Sequence, residues 1–95
     1  MPLFIRLASL TEKGSEQVRD FTKMLREAKQ AMEAQGAHIV QAYVTLGRYD
    51  VVAIIDAPDA KSAAKVSALI AEQGNFKAET LMAIPVEEFG QEIKS

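Results

Sequence analysis

A small set of side chains in this sequence could take part in chemistry, and the single histidine, His38, is the first of them. One histidine cannot form a multi-histidine metal site within one chain, nor an obvious catalytic triad. It could act as a general acid or base at a cavity mouth, because its charge changes near neutral pH. The alternative is a strand residue near a solvated end, which agrees with the partial burial common for histidine.

Tyr49 and Asp50 are adjacent in a run that has the composition of a β-strand, so we expect their side chains to point to opposite faces. They cannot then form one catalytic pair without a bulge. Asp50 is expected to accept hydrogen bonds from hairpin N–H groups, as aspartate near a turn commonly does. Tyr49 could anchor an oligomer contact or orient a ligand, because a tyrosine combines a large apolar area with one polar tip.

Arg6 places a charge in the middle of an apolar run. Because buried charges need compensation, Arg6 either pairs with an acid such as Asp56 or binds an anionic ligand.

Other polar residues could line a polar surface, although strand parity alone does not bring them together: Gln41, Tyr43, Thr45, Asp56 and Glu79. The candidate ligand-binding residues are therefore Arg6, His38, Tyr43, Tyr49 and Asp50, and no catalytic group is assigned. No phosphate loop, nucleotide fingerprint or metal-spaced carboxylate cluster is present, so the sequence predicts no cofactor and no metal.

The composition is that of an ordinary globular domain. The 95 residues fit one domain over 1–95, and the 48% hydrophobic and 25% charged shares are typical of such domains. The net charge of −2, without a basic cluster, argues against nucleic acid as a partner. The absence of cysteine excludes disulfides and thiolate chemistry. No apolar run approaches the roughly 18 residues of a membrane span, so we expect a cytoplasmic protein without membrane contact.

Hydrophobic periodicity predicts four strands and two main helices. Apolar residues alternate or run continuously in the predicted strands 3–10, 37–46, 49–57 and 75–84. They recur at spacings of three and four in the predicted helices 16–35 and 60–73. Residues 86–89 are expected to form one short turn in which Phe89 packs. Gly47 is expected to adopt a positive φ in a tight turn between the second and third strands.

The element order predicts an α+β fold of the ferredoxin-like βαββαβ kind. Right-handed crossovers place two helices on one face of a four-stranded antiparallel sheet with the order 4-1-3-2. The first and third strands are then central, in agreement with their apolar residues on both faces. Two helices cover only one sheet face, so we expect a second copy to cover the other in a sheet-to-sheet homodimer or a higher oligomer.

The segment Gly47-Arg48-Tyr49-Asp50-Val51-Val52 resembles the signature of the GYD-domain proteins, with Arg48 inserted between the glycine and the tyrosine. The length and element order of the chain are also similar to that family. The resemblance implies the fold of the dimeric α+β barrel superfamily. Relatives in that superfamily include cofactor-free monooxygenases, lactone isomerases and amino-acid-sensing modules, so the fold does not imply one activity.

Three functions remain open on the sequence. The first is an oligomeric module that binds a small metabolite between helices and sheet, which we favour because acid and base groups are few. The second is a cofactor-free isomerase or monooxygenase that uses His38 or Tyr49. The third is a purely structural or partner-binding assembly. A cavity that contains His38 or Tyr49 would favour the enzyme, and a cavity without them the binding module.

Overall fold

The computed structural model describes residues 1–95, which form four strands, four α-helices and one 3-10 turn. In chain order these are β1 (Leu3–Leu10), α1 (Glu12–Glu16), the 3-10 turn (Val18–Asp20), α2 (Phe21–Ala34), β2 (His38–Val44), β3 (Val51–Asp56), α3 (Ala60–Gln73), β4 (Phe76–Ala83) and α4 (Val86–Lys94). None of the helices combines the length and the hydropathy needed to cross a membrane.

The strands form one antiparallel sheet in the order β2-β3-β1-β4. This is the predicted order 4-1-3-2 read from the other edge, and β1 and β3 are central as expected. Both central strands alternate between buried and half-buried side chains. The α+β fold with a split βαβ arrangement is therefore confirmed.

The core lies between α2, α3 and one face of the sheet, which we call the inner face. Its side chains on the sheet include Phe4, Ala53 and Ile55, and the helices add Met32, Val66 and Ile70. The opposite or outer face has no helix over it. The half-buried residues of its two central strands are mostly apolar: Leu3, Ile5, Leu7, Val52 and Ile54.

The first predicted helix, 16–35, is wrong in its start and its continuity. A short helix begins at Glu12, after Thr11 caps it by accepting a hydrogen bond from the Gly14 N–H. A 3-10 turn then leads into α2. Gly14 is buried inside this short helix. The Asn75 carbonyl occupies the place where a Cβ would lie, so the position requires a glycine. The second predicted helix, 60–73, has the predicted limits and is capped by Asp59 at 2.7 Å from the Ser62 nitrogen.

Strand β2 departs from simple alternation because its pairing with β3 is irregular between Ile39 and Gln41. The extra residue changes the sheet face to which the preceding side chains point. His38 therefore lies on the same face as Tyr43 and not on that of Ala42. Strict alternation along the predicted strand 37–46 would place His38 on the face of Ala42 and Val44, and that expectation is wrong. In a bulge, two residues of one strand lie opposite one residue of the partner strand. No side-chain pattern in the sequence of β2 indicated this bulge.

The β2–β3 connection spans residues 45–50 and is longer than the two-residue turn that the sequence suggested. The Thr45 N–H donates to the Asp50 carbonyl at 2.9 Å and closes the loop. Gly47 has φ +108°, so its predicted positive φ is confirmed.

Helix α4 also differs from expectation. Instead of one turn over 86–89 it is a helix over Val86–Lys94, and none of its residues is buried. Phe89 is 53% exposed and does not pack against the core.

Candidate functional site

The five candidate residues do not form one site. Arg6 lies on the inner face, whereas His38 and Tyr43 lie on the outer face. Tyr49 and Asp50 belong to the β2–β3 loop, outside the strand in which the sequence placed them. The structure thus separates an inner position at Arg6 from an outer set around the tyrosines.

Arg6 is 5% exposed and contacts hydroxyl groups instead of an acid. Its Nη1 donates to Ser67 Oγ at 2.9 Å and to Thr80 Oγ1 at 3.3 Å. The two hydroxyl oxygens lie 3.0 Å apart and share a hydrogen bond. Burial lowers the pKa of Arg6, because removal from water disfavours its charged form.

The expected pairing of Arg6 with Asp56 is wrong. Arg6 is opposite Ala53 in the sheet register, three residues before Asp56, so the two side chains project from opposite faces. The residues that do contact Arg6 are distant in sequence, which is why strand parity did not identify them. The signal that could have found Ser67 is a hydroxyl in the otherwise apolar stripe of α3.

A cavity of ≈ 50 Å³ lies between the sheet and the helices, beside Arg6. Arg6 is the one polar residue in its wall, and the other ten lining residues are hydrophobic, among them Leu25, Met32, Ile39 and Ile70. Neither His38 nor Tyr49 lines it. By the criterion set from the sequence, this inner cavity favours binding over catalysis, whereas a separate groove on the outer face is lined by Tyr49 and meets the criterion for an enzyme.

Tyr49 lies over the outer face, in an open groove of ≈ 380 Å³ that Leu7, Lys77 and Glu79 also line. The Tyr49 hydroxyl donates to Glu79 Oε1 at 2.8 Å, and the Arg48 guanidinium lies 5.7 Å from the centre of the ring. The hydrogen bond to Glu79 raises the pKa of Tyr49, with smaller contributions from burial and from the Glu79 charge, and Arg48 opposes them. The hydrogen bond therefore favours the protonated phenol over the phenolate.

Asp50 fastens the loop to β1. Its Oδ2 accepts from the Leu10 N–H at 2.8 Å, and its own N–H donates to the Ala8 carbonyl at 2.8 Å. The expected carboxylate contact with the backbone is present, although the donor belongs to β1 and not to the hairpin. With both groups engaged, Asp50 positions the loop that contains Tyr49.

His38 and Tyr43 are exposed on β2. His38 is opposite Asp56 in the register, and the Tyr43 hydroxyl donates to Gln41 Oε1 at 3.0 Å. Asp56 Oδ1 is buried and has no hydrogen-bond partner within the chain. No group of three or more histidine or acidic side chains is arranged to hold a metal ion.

Comparison with known proteins identifies relatives over nearly the whole chain. The model of the GYD domain matches residues 4–93. A Thermus thermophilus protein described as "Glutamine synthetase and cystathionine beta-lyase binding protein" is 38% identical over 87 residues, which are 90% of this chain and 92% of that protein.

Two solved structures share the fold. FFRP-DM1 superimposes with a TM-score of 0.60 at 19% identity, covering 88% of this chain and 100% of that one. The 5-chloro-2-hydroxyhydroquinone dehydrochlorinase TftG from Burkholderia phenoliruptrix, solved with 2,5-dihydroxybenzoquinone, gives a TM-score of 0.54 at 13% identity over 84% of this chain and 90% of that one. At these identities the likeness concerns the fold alone.

Proposed function

We propose that this chain, which belongs to the GYD-domain family, is a self-associating binding module that docks onto other proteins. The observation that carries the proposal is the outer face of the sheet. Its central strands present an apolar surface without any helix over it: Leu3, Ile5, Leu7, Val52 and Ile54. A monomer rarely leaves a contiguous apolar patch of this kind in water.

A second copy of the same sheet is the partner that fits this face. Two sheets packed face to face bury their facing side chains in a common layer, and a two-fold axis makes the contact self-complementary. Polar groups surround the apolar centre, with Tyr49 and Glu79 on one side and His38 on another. This distribution, apolar in the middle and polar at the rim, is typical of protein interfaces.

The docking part of the proposal is supported by the Thermus relative. That protein is described as binding glutamine synthetase and cystathionine β-lyase, and the alignment covers 92% of its length. We therefore propose that this chain also binds one or both of these enzymes.

A cofactor-free enzyme is the alternative, and the geometry supports it less well. The Tyr49 hydroxyl already donates its proton to Glu79, and that hydrogen bond raises the pKa of Tyr49 further from the neutral range in which an acid or base catalyst works best. His38 belongs to β2 and lines none of the groove around Tyr49. A small ligand in the inner cavity is favoured by a separate observation, the buried charge of Arg6 in its wall.

Sedimentation velocity at micromolar concentration tests self-association. The wild type is expected to sediment as a dimer or a multiple of it, and Ile54→Asp as a monomer, because an unpaired charge buried in the interface costs several kcal/mol. Ala64→Asp is the matched control, since Ala64 is exposed on α3 and away from the outer face. A monomeric wild type, or an Ile54→Asp variant that stays dimeric, would contradict the proposal.

Binding to the enzymes is tested with purified proteins. Glutamine synthetase and cystathionine β-lyase are immobilised separately, and wild type, Ile54→Asp and Ala64→Asp are passed over them. We expect saturable binding of the wild type and the control to at least one enzyme. If neither enzyme retains the wild type at tens of micromolar, the docking proposal is wrong, whatever the oligomeric state.

A further inference from the structure

Helix α4 carries an apolar stripe that its own chain leaves uncovered: Val86, Phe89 and Ile93. These residues recur at spacings of three and four on one side of the helix, and they are 86%, 53% and 68% exposed. The helix makes no extensive contact with any other helix or strand. A different side of α4 faces its own sheet, because Glu88 lines the groove beside the start of β1 and the three apolar residues do not.

A helix of this length needs support from outside itself. Helix α4 has nine residues, and isolated helices shorter than about 12 to 15 residues are marginal in water. Gly90 in its middle lowers its helix propensity further. The chain is also elongated, with a radius of gyration of 14.2 Å where about 12 Å is usual for a compact domain of this length. The surface that stabilises α4 therefore lies on another molecule.

The charges of α4 indicate the class of that molecule. Its polar side carries three acids, Glu87, Glu88 and Glu92, and one base, Lys94. A helix that lies on a membrane has a basic polar side instead, and so does a surface that binds nucleic acid. The occupant that fits the stripe is therefore a protein with an apolar groove.

The chain itself offers a groove of this kind at one end of the sheet, which we call the end groove. It has a volume of ≈ 590 Å³, and its wall includes Met1, Leu3, Met82 and Ile84. Leu3 belongs to the outer face of the sheet as well. The end groove is thus continuous with the surface on which a second copy is proposed to pack, and that copy can reach both.

The area of the outer face also calls for a further contact. The sheet has four strands of up to eight residues, so each face spans roughly 500 Å² in plan. Only the central strands are apolar there, whereas the edge strands add Gln41, Lys77 and Glu79. A stable interface takes about 800 Å² of accessible surface from each partner. The α4 stripe and the end groove provide apolar surface beyond the sheet.

We propose that α4 is an arm that each copy of the dimer lays on the other, with Phe89 in the end groove of the second copy. The proposal rests on the self-association proposed above and specifies which element completes the contact. The two-fold symmetry makes the exchange reciprocal. It also brings together the ends of the two sheets at which β1 begins.

Sedimentation equilibrium of two matched variants of the full chain tests the arm. Phe89→Ser removes the centre of the stripe, and Gln91→Ser changes an exposed residue on the polar side of the same helix. Neither residue is buried within the chain, so both variants should fold. Phe89→Ser should raise the dissociation constant of the dimer at least about a hundredfold, because the contact occurs twice. Gln91→Ser should change it by less than about threefold.

NMR of a mixed dimer locates the arm directly. Isotope-labelled and unlabelled wild-type chains are mixed, and only contacts between the two copies are recorded. We expect contacts from the Phe89 ring of one copy to the Met82 and Leu3 methyl groups of the other. Ile54→Asp, in which the dimer is expected to dissociate, should give none of them.

The possible outcomes separate this proposal from the one on which it rests. Loss of affinity in Phe89→Ser alone, together with the Phe89 contacts between copies, supports the arm. A monomeric wild type overturns the self-association and the arm together. A dimer with equal dissociation constants in both variants, or without those contacts, overturns the arm alone. If Phe89→Ser stays dimeric and instead loses binding to immobilised glutamine synthetase or cystathionine β-lyase, the stripe docks on an enzyme and the arm is wrong.

Discussion

The Tyr49 hydroxyl donates a 2.8 Å hydrogen bond to Glu79 Oε1 and so connects the β2–β3 loop with the edge strand β4. In the register Glu79 is opposite Leu7 of β1, so the bond passes over a central strand on the outer face. Arg48 lies against the ring of Tyr49, 5.7 Å from its centre. One side chain of the loop thus contacts both a carboxylate and a cation at the border of the proposed dimer face.

This contact predicts a pH effect on tyrosine ionisation. The Glu79 hydrogen bond raises the pKa of Tyr49 above its ordinary value of about 10. In Tyr43→Phe, where Tyr49 is the remaining tyrosine, the phenolate absorbance should therefore appear at a higher pH than in the unfolded chain. Adding Glu79→Gln should lower the midpoint, because the hydrogen bond to a carboxylate, which is the main cause of the raised pKa, and the smaller effect of the Glu79 charge are both lost. Identical midpoints with and without Glu79 would show that the bond is absent in solution.

The same shift has a defined sign for stability. A group whose pKa is higher in the folded chain contributes stability that is fully present below its unfolded pKa. The contribution is lost as the pH rises through the folded pKa. The free energy of unfolding of the wild type should therefore fall above about pH 10 more steeply than that of Tyr49→Phe. Urea unfolding at several alkaline pH values measures the difference.

Asp50 yields a second prediction, on the attachment of the loop. Its carboxylate accepts from the Leu10 N–H at 2.8 Å, and Asp50→Ala leaves that donor without its partner. We expect the free energy of unfolding to fall by about 1 to 3 kcal/mol. Asp50→Asn retains a carbonyl oxygen that can accept and should cost less. Urea denaturation compares the two, and equal losses would indicate that the charge matters and the hydrogen bond does not.

The sheet order and the limits of α3 could be predicted because their signals are local or repeated. The alternation of β1 and β3 is carried by many side chains at once, and Asp59 marks the start of α3 directly. The bulge after Ile39 could not be predicted. One extra residue changes the sheet face to which the His38 side chain points, without changing the neighbours of His38 in sequence.

The surroundings of Arg6 show the same limit within the candidate site. A charge in a central strand correctly indicated that compensation was needed, but the choice of Asp56 rested on residue type alone. The actual contacts, Ser67 and Thr80, are brought together by the packing of α3 on β4 and β1. The length of helix α4 was underestimated for another reason. The prediction of one turn over 86–89 assumed that Phe89 packs in the core, whereas the apolar residues of α4 lack such contacts within the chain.

Two helical glycines allow a matched third prediction. A Cβ at Gly14 would overlap the Asn75 carbonyl, whereas one at Gly90 in α4 would meet no atom within 4 Å. Gly14→Ala should therefore lower the free energy of unfolding by about 1 to 3 kcal/mol through overpacking. Gly90→Ala should be neutral or slightly stabilising, because alanine favours a helix by up to about 1 kcal/mol. Thermal unfolding of both variants would refute the close approach if they behaved alike.

Gly47 allows a fourth prediction. Its φ of +108° is unfavourable for residues with a side chain, although the space around it is open. Gly47→Val should lower the free energy of unfolding by about 1 kcal/mol or more, because a β-branched residue is strained at positive φ. Gly47→Asn should cost less, since asparagine tolerates positive φ better. Negligible losses in urea unfolding for both variants would mean that the loop readily adopts another conformation.

The last prediction concerns α4, whose apolar side chains recur on one side of the helix at Val86, Phe89 and Ile93. None is buried, and Val86 is 86% exposed. Removal of residues 86–95 should therefore leave the free energy of unfolding of the monomeric Ile54→Asp background unchanged within about 0.5 kcal/mol, as for other changes outside the core. Urea unfolding of that background with and without the helix measures this. A loss of several kcal/mol would show that α4 packs on its own domain in solution.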